Sequence, residues 1–504
     1  MAAADASARS LVRGAGLMLP ATLAGYALLL GVDVVANHLL SLEDYGLYGN
    51  IRRLVQIAGF VVLLGMENAV IRVVARAPDA PAARAGVWTG LWSSAAGGLV
   101  AGLALFFAAP SIAAEVDPSP DTVLAIRIAA AALPLWSIRT ITVAACQGWG
   151  SLLPRALVTF IAWPIVQLGG LVLGAKLLGL GALGAVAGYA AAVALGAVQG
   201  LWHLWRMRRG VPGLTAGEGP GEGALFAMLA VAWPLWVHGV GMALYTWADQ
   251  LALGGLLGER AAGLYGPVAQ LSPLFGVGLG ALNNAFAPVI ARKHHEGDRA
   301  GLAWMYRVVT RWAVVIATPA VMLALVVPRS VLAPWHHVGP ETVEALRITA
   351  VAQLICTGVG SVNYLLLMSG RPRDPLYNAI PAVLVSLGAC YVLIPRYGVA
   401  GAALANALAM VLANLLGLAQ VWRHLHMHPV DRGLLRPLFA SLPLVGLALF
   451  CQAFLGDGWA TLLIAGGLGS LAFLGVLTML KLDEGDRMVL DWVRSKLPFR
   501  RGGA

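Results

Sequence analysis

Apolar residues in this chain come in long unbroken runs separated by short polar or basic connections. Each run has about the 20 residues that a helix needs to cross the roughly 30 Å hydrocarbon core of a bilayer. They predict an all-α polytopic membrane protein with about fourteen transmembrane helices, over residues 14–36, 49–71, 86–112, 122–146, 155–175, 181–205, 226–254, 263–288, 304–327, 343–368, 376–395, 399–422, 433–454 and 458–480. The even-numbered connections and both ends carry most of the Lys and Arg, among them Arg9, Arg13, Arg72, Arg76, Arg84, Arg155, Arg206, Arg208, Arg209, Arg292, Lys293, Arg371, Arg373 and Arg423. The odd-numbered connections hold only Lys176, Arg260, Arg329 and Arg396, beside Glu43, Asp44, Glu115, Asp117, Asp121 and Glu341. Short basic loops stay on the cytoplasmic side during insertion, so both termini are expected there and the number of spans is expected to be even. The first ten residues are short and mostly polar, and the apolar run after them is long enough to span, so no cleavable signal is expected.

The pattern repeats. Residues 31–76, GVDVVANHLLSLEDYGLYGNIRRLVQIAGFVVLLGMENAVIRVVAR, return in altered form at 247–292. Asp33 meets Asp249 and Ala75-Arg76 meets Ala291-Arg292, each 216 positions on, and Gly46-Leu47-Tyr48 meets Gly263-Leu264-Tyr265, 217 positions on. Each copy reads as an apolar helix with one acid near its end, a short polar turn, a second helix and a basic exit. Further along, Arg127-Ile128 answers Arg347-Ile348, Lys176 answers Arg396 and Gly181-Ala182 answers Gly401-Ala402, each 220 apart. A spacing this long points to two homologous bundles and not to a solenoid. The expected organisation is a six-helix lobe at 1–209, a Gly-rich cytoplasmic linker at 210–225, a second six-helix lobe at 226–425, two unrepeated helices at 426–481 and a basic tail at 482–504. In that tail Val489, Trp492, Val493 and Leu497 share one side at helical spacing, which reads as an amphipathic helix lying in the interface.

Composition places the whole chain in lipid: 59% of residues are hydrophobic and 12% charged, and the mean hydropathy is +0.79. The net charge of +10 sits in short loops, where anionic lipid and insertion explain it better than nucleic acid does. Cys146, Cys356, Cys390 and Cys451 lie in apolar runs with no metal or redox spacing and read as small core residues. Trp335-His336-His337 reads as an interfacial loop, and Asn283, Asn284, Asn363, Asn406 and Asn414 as bridges between helices.

Charges inside the apolar runs are the functional candidates, because Arg or Asp at a bilayer centre costs about 2.5–3.5 kcal/mol on insertion scales. Asp33, Arg52 and Arg53 share one depth near the outer end of the first hairpin, either as a structural ion pair or as part of a site. Arg139 stands in the fourth helix, where its repeat equivalent is Val359, and it is either a cavity residue or one that snorkels to the headgroups. Arg307 and Arg311 lie one turn apart near the cytoplasmic entrance, either as interfacial anchors or as cavity residues that bind substrate. Asp249, with no partner evident in sequence, and Glu67 are candidates for protonation coupled to transport, or else hydrogen-bonded structural acids.

The acid-terminated first helix, LLSLEDYGLYG, the re-entry with Arg52-Arg53, LLGMENAVIR and the later DQLALGGLLGERAAGLYG together resemble the polysaccharide-transport, Wzx-type flippases of the multidrug/oligosaccharidyl-lipid/polysaccharide superfamily. The likeness covers residues from about 10 to 480. It implies two six-helix lobes around a cavity that opens alternately to either side, and a polyprenyl-diphosphate-linked oligosaccharide as cargo, carried to the outer leaflet of the bacterial inner membrane for surface polysaccharides such as O-antigen or exopolysaccharide. It also implies a diphosphate-holding role for Arg52 or Arg53, with Arg13 a weaker match, and partnership with membrane lipids, a polysaccharide polymerase and chain-length proteins. The sequence departs from peptidoglycan-precursor flippases in placing Ala269 and Gln270 where a second outer Arg pair would stand. A cation-coupled multidrug exporter of the same fold is the nearest rival, and it would favour acids and aromatics over arginines in the cavity. A membrane glycan polymerase or ligase would need a longer outer loop than this chain has. No nucleophile motif, phosphate-binding glycine loop or metal spacing is present, so neither enzyme chemistry nor a cofactor is expected.

Overall fold

The computed structural model describes residues 2–77, 80–208, 224–371, 373–431 and 433–480. The apolar runs predicted above lie mainly on helix, and among the described residues there is no strand. The chain forms two compact units, Met1–Gly266 and Pro267–Ala504.

The first unit contains α1 (Ala2–Leu39), α2 (Leu42–Leu63), α3 (Met66–Arg76), α4 (Ala80–Val116), α5 (Pro120–Gly148), the short α6 (Leu153–Arg155), α7 (Trp163–Leu171), α8 (Gly181–Arg208), α9 (Ala224–Leu257) and the first two turns of α10 (Glu259–His295). Two stretches of wider π-helical winding, Ala156–Ala162 and Val172–Leu177, flank α7. The connection between α1 and α2 is much shorter than the sequence pattern suggests. Ser41 caps α2 by accepting from the Asp44 amide at 3.0 Å, and Glu43 and Asp44 sit in the first turn where the helix dipole favours them. Gly46-Leu47-Tyr48 is therefore helix and not turn, and so is its copy, because α10 already starts at Glu259. The helix expected at 49–71 is in fact broken. Leu64 and Gly65 take left-handed backbone angles, and α2 and α3 meet at a bend of 47°. The Val61 carbonyl freed there accepts from the Trp236 indole of α9 at 2.9 Å.

Helix packing in this unit relies on small residues. Along the crossing of α7 with α8, Gly170 lies against Gly188 and Gly174 against Gly184, two G-x-x-x-G segments facing each other so closely that a Cβ at Gly170 would come within 2.5 Å of the Gly188 Cα. In lipid no hydrophobic effect drives helices together, so close backbone approach of this kind supplies the attraction. Val32, Tyr48, Leu133 and Tyr189 fill the interior.

The second unit continues from α10 through α11 (Arg299–Val326), α12 (Pro328–Val331), α13 (Pro340–Val359), α14 (Val362–Met368), α15 (Arg373–Leu425), α16 (Arg436–Ala440), α17 (Leu442–Leu455) and α18 (Trp459–Met479). The repeat is visible in its helix starts: Pro120 of α5 and Pro340 of α13, 220 apart, each open a helix. The copies then diverge. Helix α5 runs on to Gly148, whereas α13 stops at Val359 and Gly360 turns left-handed. Helix α15 is continuous through the helices expected at 376–395 and 399–422 and is kinked at Gly398, where the first copy has the break before Gly181.

Ten helices are long and apolar enough to cross a membrane, or eleven with the bent pair α2–α3, among the described residues. Their outward faces carry side chains that water would not tolerate, such as Phe107 and Tyr391 at 73% and 74% exposure. The count of fourteen spans stays an expectation. The linker at 210–223, the amphipathic tail from 481 and the Arg13 side chain lie outside the described residues.

Candidate functional site

The charged residues of the first unit gather where α1 ends, α2 begins and α9 passes into α10. Asp33, with 2% exposure, lies 3.6 Å from the Arg52 guanidinium and accepts from the Tyr45 hydroxyl at 2.8 Å. Of the two adjacent arginines it is thus Arg52 that faces the acid. Arg53 points elsewhere, as the 100° step between helix neighbours requires, and donates to the Gly49 carbonyl of its own helix at 3.1 Å. Arg52 also lies over the Tyr48 ring, 5.4 Å from its centroid, and the Tyr48 hydroxyl takes the Gln167 amide at 2.5 Å.

Asp249 has the partner that sequence reasoning missed: the Tyr265 hydroxyl donates to it at 2.6 Å, and the Gln250 amide at 2.8 Å. Beside it the Asn50 amide of α2 donates to Glu259 of α10 at 2.8 Å. Glu259 precedes the apolar run of α10, and burial pushes its carboxyl up to about 7, only partly offset by the Asn50 bond. Backbone contact makes these neighbours close. A Cβ at Gly46 would strike the Glu259 carbonyl oxygen, and one at Gly263 would lie 3.4 Å from the Gly46 nitrogen. Gly46 and Gly263 are repeat equivalents, so the two copies touch here through the same residue.

Arg139 is deeper in the first unit. Its guanidinium carbon lies 4.5 Å from the Trp136 ring centroid and 4.3 Å from that of Trp163, in the corner of an edge-to-face pair whose planes meet at 82°. Each cation–π contact contributes about 0.5–2 kcal/mol. The residue is buried, which excludes the snorkelling alternative.

The remaining candidates are dispersed. Glu67 begins α3, is half-buried and lies 3.9 Å from Arg155, so it is not the buried unpaired acid that the sequence suggested. In the second unit Arg311 is buried and ion-paired with Asp431 at 3.1 Å, while Arg307, one turn earlier on α11, is half-buried. Asn283 bridges helices as expected, accepting from Ser361, whereas Asn414 donates to the Met410 carbonyl of its own helix at 2.9 Å. The four cysteines are buried.

Taken together, the first unit offers two guanidinium groups at its hairpin end, that of Arg52 beside a carboxylate steadied by Tyr45 and that of Arg53 bonded to the Gly49 carbonyl, and a third packed between two tryptophans. Such groups bind phosphate oxygens through several parallel N–H donors. Tyr45, Tyr265, Trp136, Trp163, Tyr189, Asn50 and Glu259 escaped sequence reasoning. Tyr48 and Tyr265 were conserved within the repeat, and Trp136 precedes Arg139 by one turn, which were the available signals.

The fold has known counterparts. An inward-facing multidrug resistance MATE family transporter of the MOP superfamily matches with a TM-score of 0.70 at 15% identity, over 80% of this chain and 94% of that one. The lipid II flippase MurJ in an inward closed conformation matches with a TM-score of 0.72 at 13% identity, over 92% of this chain and 100% of that one. At such identities the likeness is one of fold. No curated protein matches the chain in sequence. The profile of the polysaccharide biosynthesis protein family, however, matches residues 11–294, more than half of the 504, and takes in the α1–α2 hairpin, Arg139 and the α9–α10 seam. The chain therefore belongs to the polysaccharide biosynthesis protein family.

Proposed function

We propose that this protein flips a polyprenyl-diphosphate-linked oligosaccharide from the cytoplasmic to the outer leaflet of a bacterial inner membrane, by alternating access, for surface polysaccharide assembly. The observation that carries the reading is the Arg52/Arg53 pair on α2, at the seam with α9–α10, in a member of a polysaccharide biosynthesis family. A diphosphate keeps its negative charge throughout and needs a permanently cationic partner to cross an apolar region, which Arg supplies. Asp33 occupies Arg52 in the structure, and an arriving diphosphate competes for the same guanidinium. Arg307 and Arg311, near the entrance expected on the cytoplasmic side, act earlier on the path. Lipid-linked sugar is then the substrate, and the polymerase and chain-length proteins that consume it are the partners.

A multidrug exporter of the same fold is the second reading, since the MATE transporters share this architecture. Arginine at the hairpin end argues against it, because organic cations would be repelled there. A peptidoglycan-precursor flippase is disfavoured by Ala269 and Gln270 at the equivalent α10 positions.

The test is genetic. Deleting the gene should abolish surface glycan and leave lipid-linked repeat units on the cytoplasmic side. Arg52→Ala and Arg53→Ala should each fail to restore glycan at normal protein abundance. Full restoration by both variants removes the arginines from the path, and unchanged glycan in the deletion strain ends the proposal.

A further inference from the structure

The Arg139 corner holds more hydrogen-bond donors than the protein can satisfy. Nε and Nη1 of Arg139, the Trp163 indole nitrogen and the Tyr189 hydroxyl are all buried without a hydrogen-bond partner. Arg139, Trp136, Trp163 and Tyr189 are 5%, 7%, 9% and 1% exposed, so bulk water does not satisfy them either. They are also close together: the Trp163 and Tyr189 ring centroids are 6.1 Å apart, and the Arg139 guanidinium rests on Trp163. Leaving a buried polar group unpaired costs about 1–3 kcal/mol, more when it is charged. Four in one place call for an occupant.

Charge gives the same answer. Glu67 is the carboxylate whose field reaches Arg139, and it already pairs with Arg155, so one acid faces two guanidinium groups. Further out, Arg52 has Asp33, and Arg53 lies in the fields of Asp33 and Asp249. One positive charge is left over at Arg139. The tryptophan faces lower its cost without cancelling it.

We infer that the interior of the first unit contains a binding site for a small monovalent inorganic anion of the halide class, held by Arg139, Trp163 and Tyr189. Water would accept from the orphan donors and donate to the orphan Gln167 amide oxygen one turn from Trp163, but it would leave the positive charge of Arg139 uncompensated, which an anion does not. A polyprenyl-linked diphosphate is too large. The two indoles pack on the guanidinium, and on the α8 side Gly196 lies so near that a Cβ there would come within 2.6 Å of the Arg139 side chain. This site is separate from the Arg52/Arg53 seam and does not depend on the flippase reading. It gives Arg139 a structural anion as partner, where the sequence left a cavity residue or one that snorkels to the headgroups.

The experiment uses the full chain in lipid nanodiscs. Thermal unfolding is followed while sodium bromide replaces sodium gluconate at constant ionic strength, and crystals grown in bromide are examined for an anomalous peak. The wild type should gain stability saturably, with a peak beside the Arg139 guanidinium. Arg139→Gln should lose both, and Tyr189→Phe, which keeps the ring, should raise the half-saturating bromide concentration about tenfold, the loss of one charge-assisted hydrogen bond. Equal curves in bromide and gluconate, or a bromide response unchanged in Tyr189→Phe, overturn the site. So does a response to inorganic pyrophosphate with none to bromide, which would assign Arg139 to the cargo headgroup. Glycan complementation reads the flippase proposal separately, so either idea can fall without the other.

Discussion

Glu259 shows how burial and hydrogen bonding set a titration. Its carboxyl is held at about 7 against an ordinary value near 4.5, so the folded protein keeps this proton while the unfolded chain has released it. The stabilising contribution is therefore full below about pH 4.5 and is lost as pH rises towards 7, a difference on the order of 3 kcal/mol between the two plateaus. Glu259→Gln, which retains the hydrogen bond to Asn50 without the charge, should flatten unfolding midpoints across that interval and exceed the wild type at pH 8. A wild-type profile identical to that of the variant would mean that Glu259 is solvated. At this scale the sequence exposed the arginines and acids because charge is conspicuous in apolar runs. It hid their partners, since Tyr45, Tyr265, Trp163 and Tyr189 are ordinary membrane residues until folding brings them to a charge.

Among the helices, α7 and α8 offer two adjacent glycines with opposite environments. A Cβ at Gly169 meets nothing within 4 Å, whereas at Gly170 it meets the Gly188 backbone at 2.5 Å. Gly169→Ala should be neutral or raise stability by up to about 1 kcal/mol through helix propensity. Gly170→Ala should cost about 1–3 kcal/mol through overpacking. Matched unfolding curves for the two variants decide it, and equal shifts would rule out the close crossing. Helix existence was legible from hydropathy throughout, but breaks were not. The bend at Leu64-Gly65 depends on the Trp236 indole reaching the Val61 carbonyl from α9, a contact 175 residues away in sequence. Conversely, LEDYGLYG read as a turn because of its glycines, yet Ser41 caps it into helix and the glycines serve close approach.

For the whole molecule, the alternation of basic and acidic connections predicts both ends in the cytoplasm. Alkaline phosphatase fused after Leu40 should be active outside the cytoplasm, and a fusion after Arg209 inactive; the reverse pattern would invert the proposed direction of transport. The 216–220 residue periodicity was readable from single residues, and it survives in space as the matched starts of α5 and α13. What it could not reveal is where the copies meet. They meet at Gly46 and Gly263, so the patch is isologous, each half offering the other what it offers itself. A half-length ancestor with one such glycine would have had a self-complementary surface ready to dimerise, and joining two genes would have needed no new interface. The two halves differ where charge matters, the first carrying Arg52, Arg53 and Arg139 and the second Ala269, Gln270 and Val359 at the matched positions.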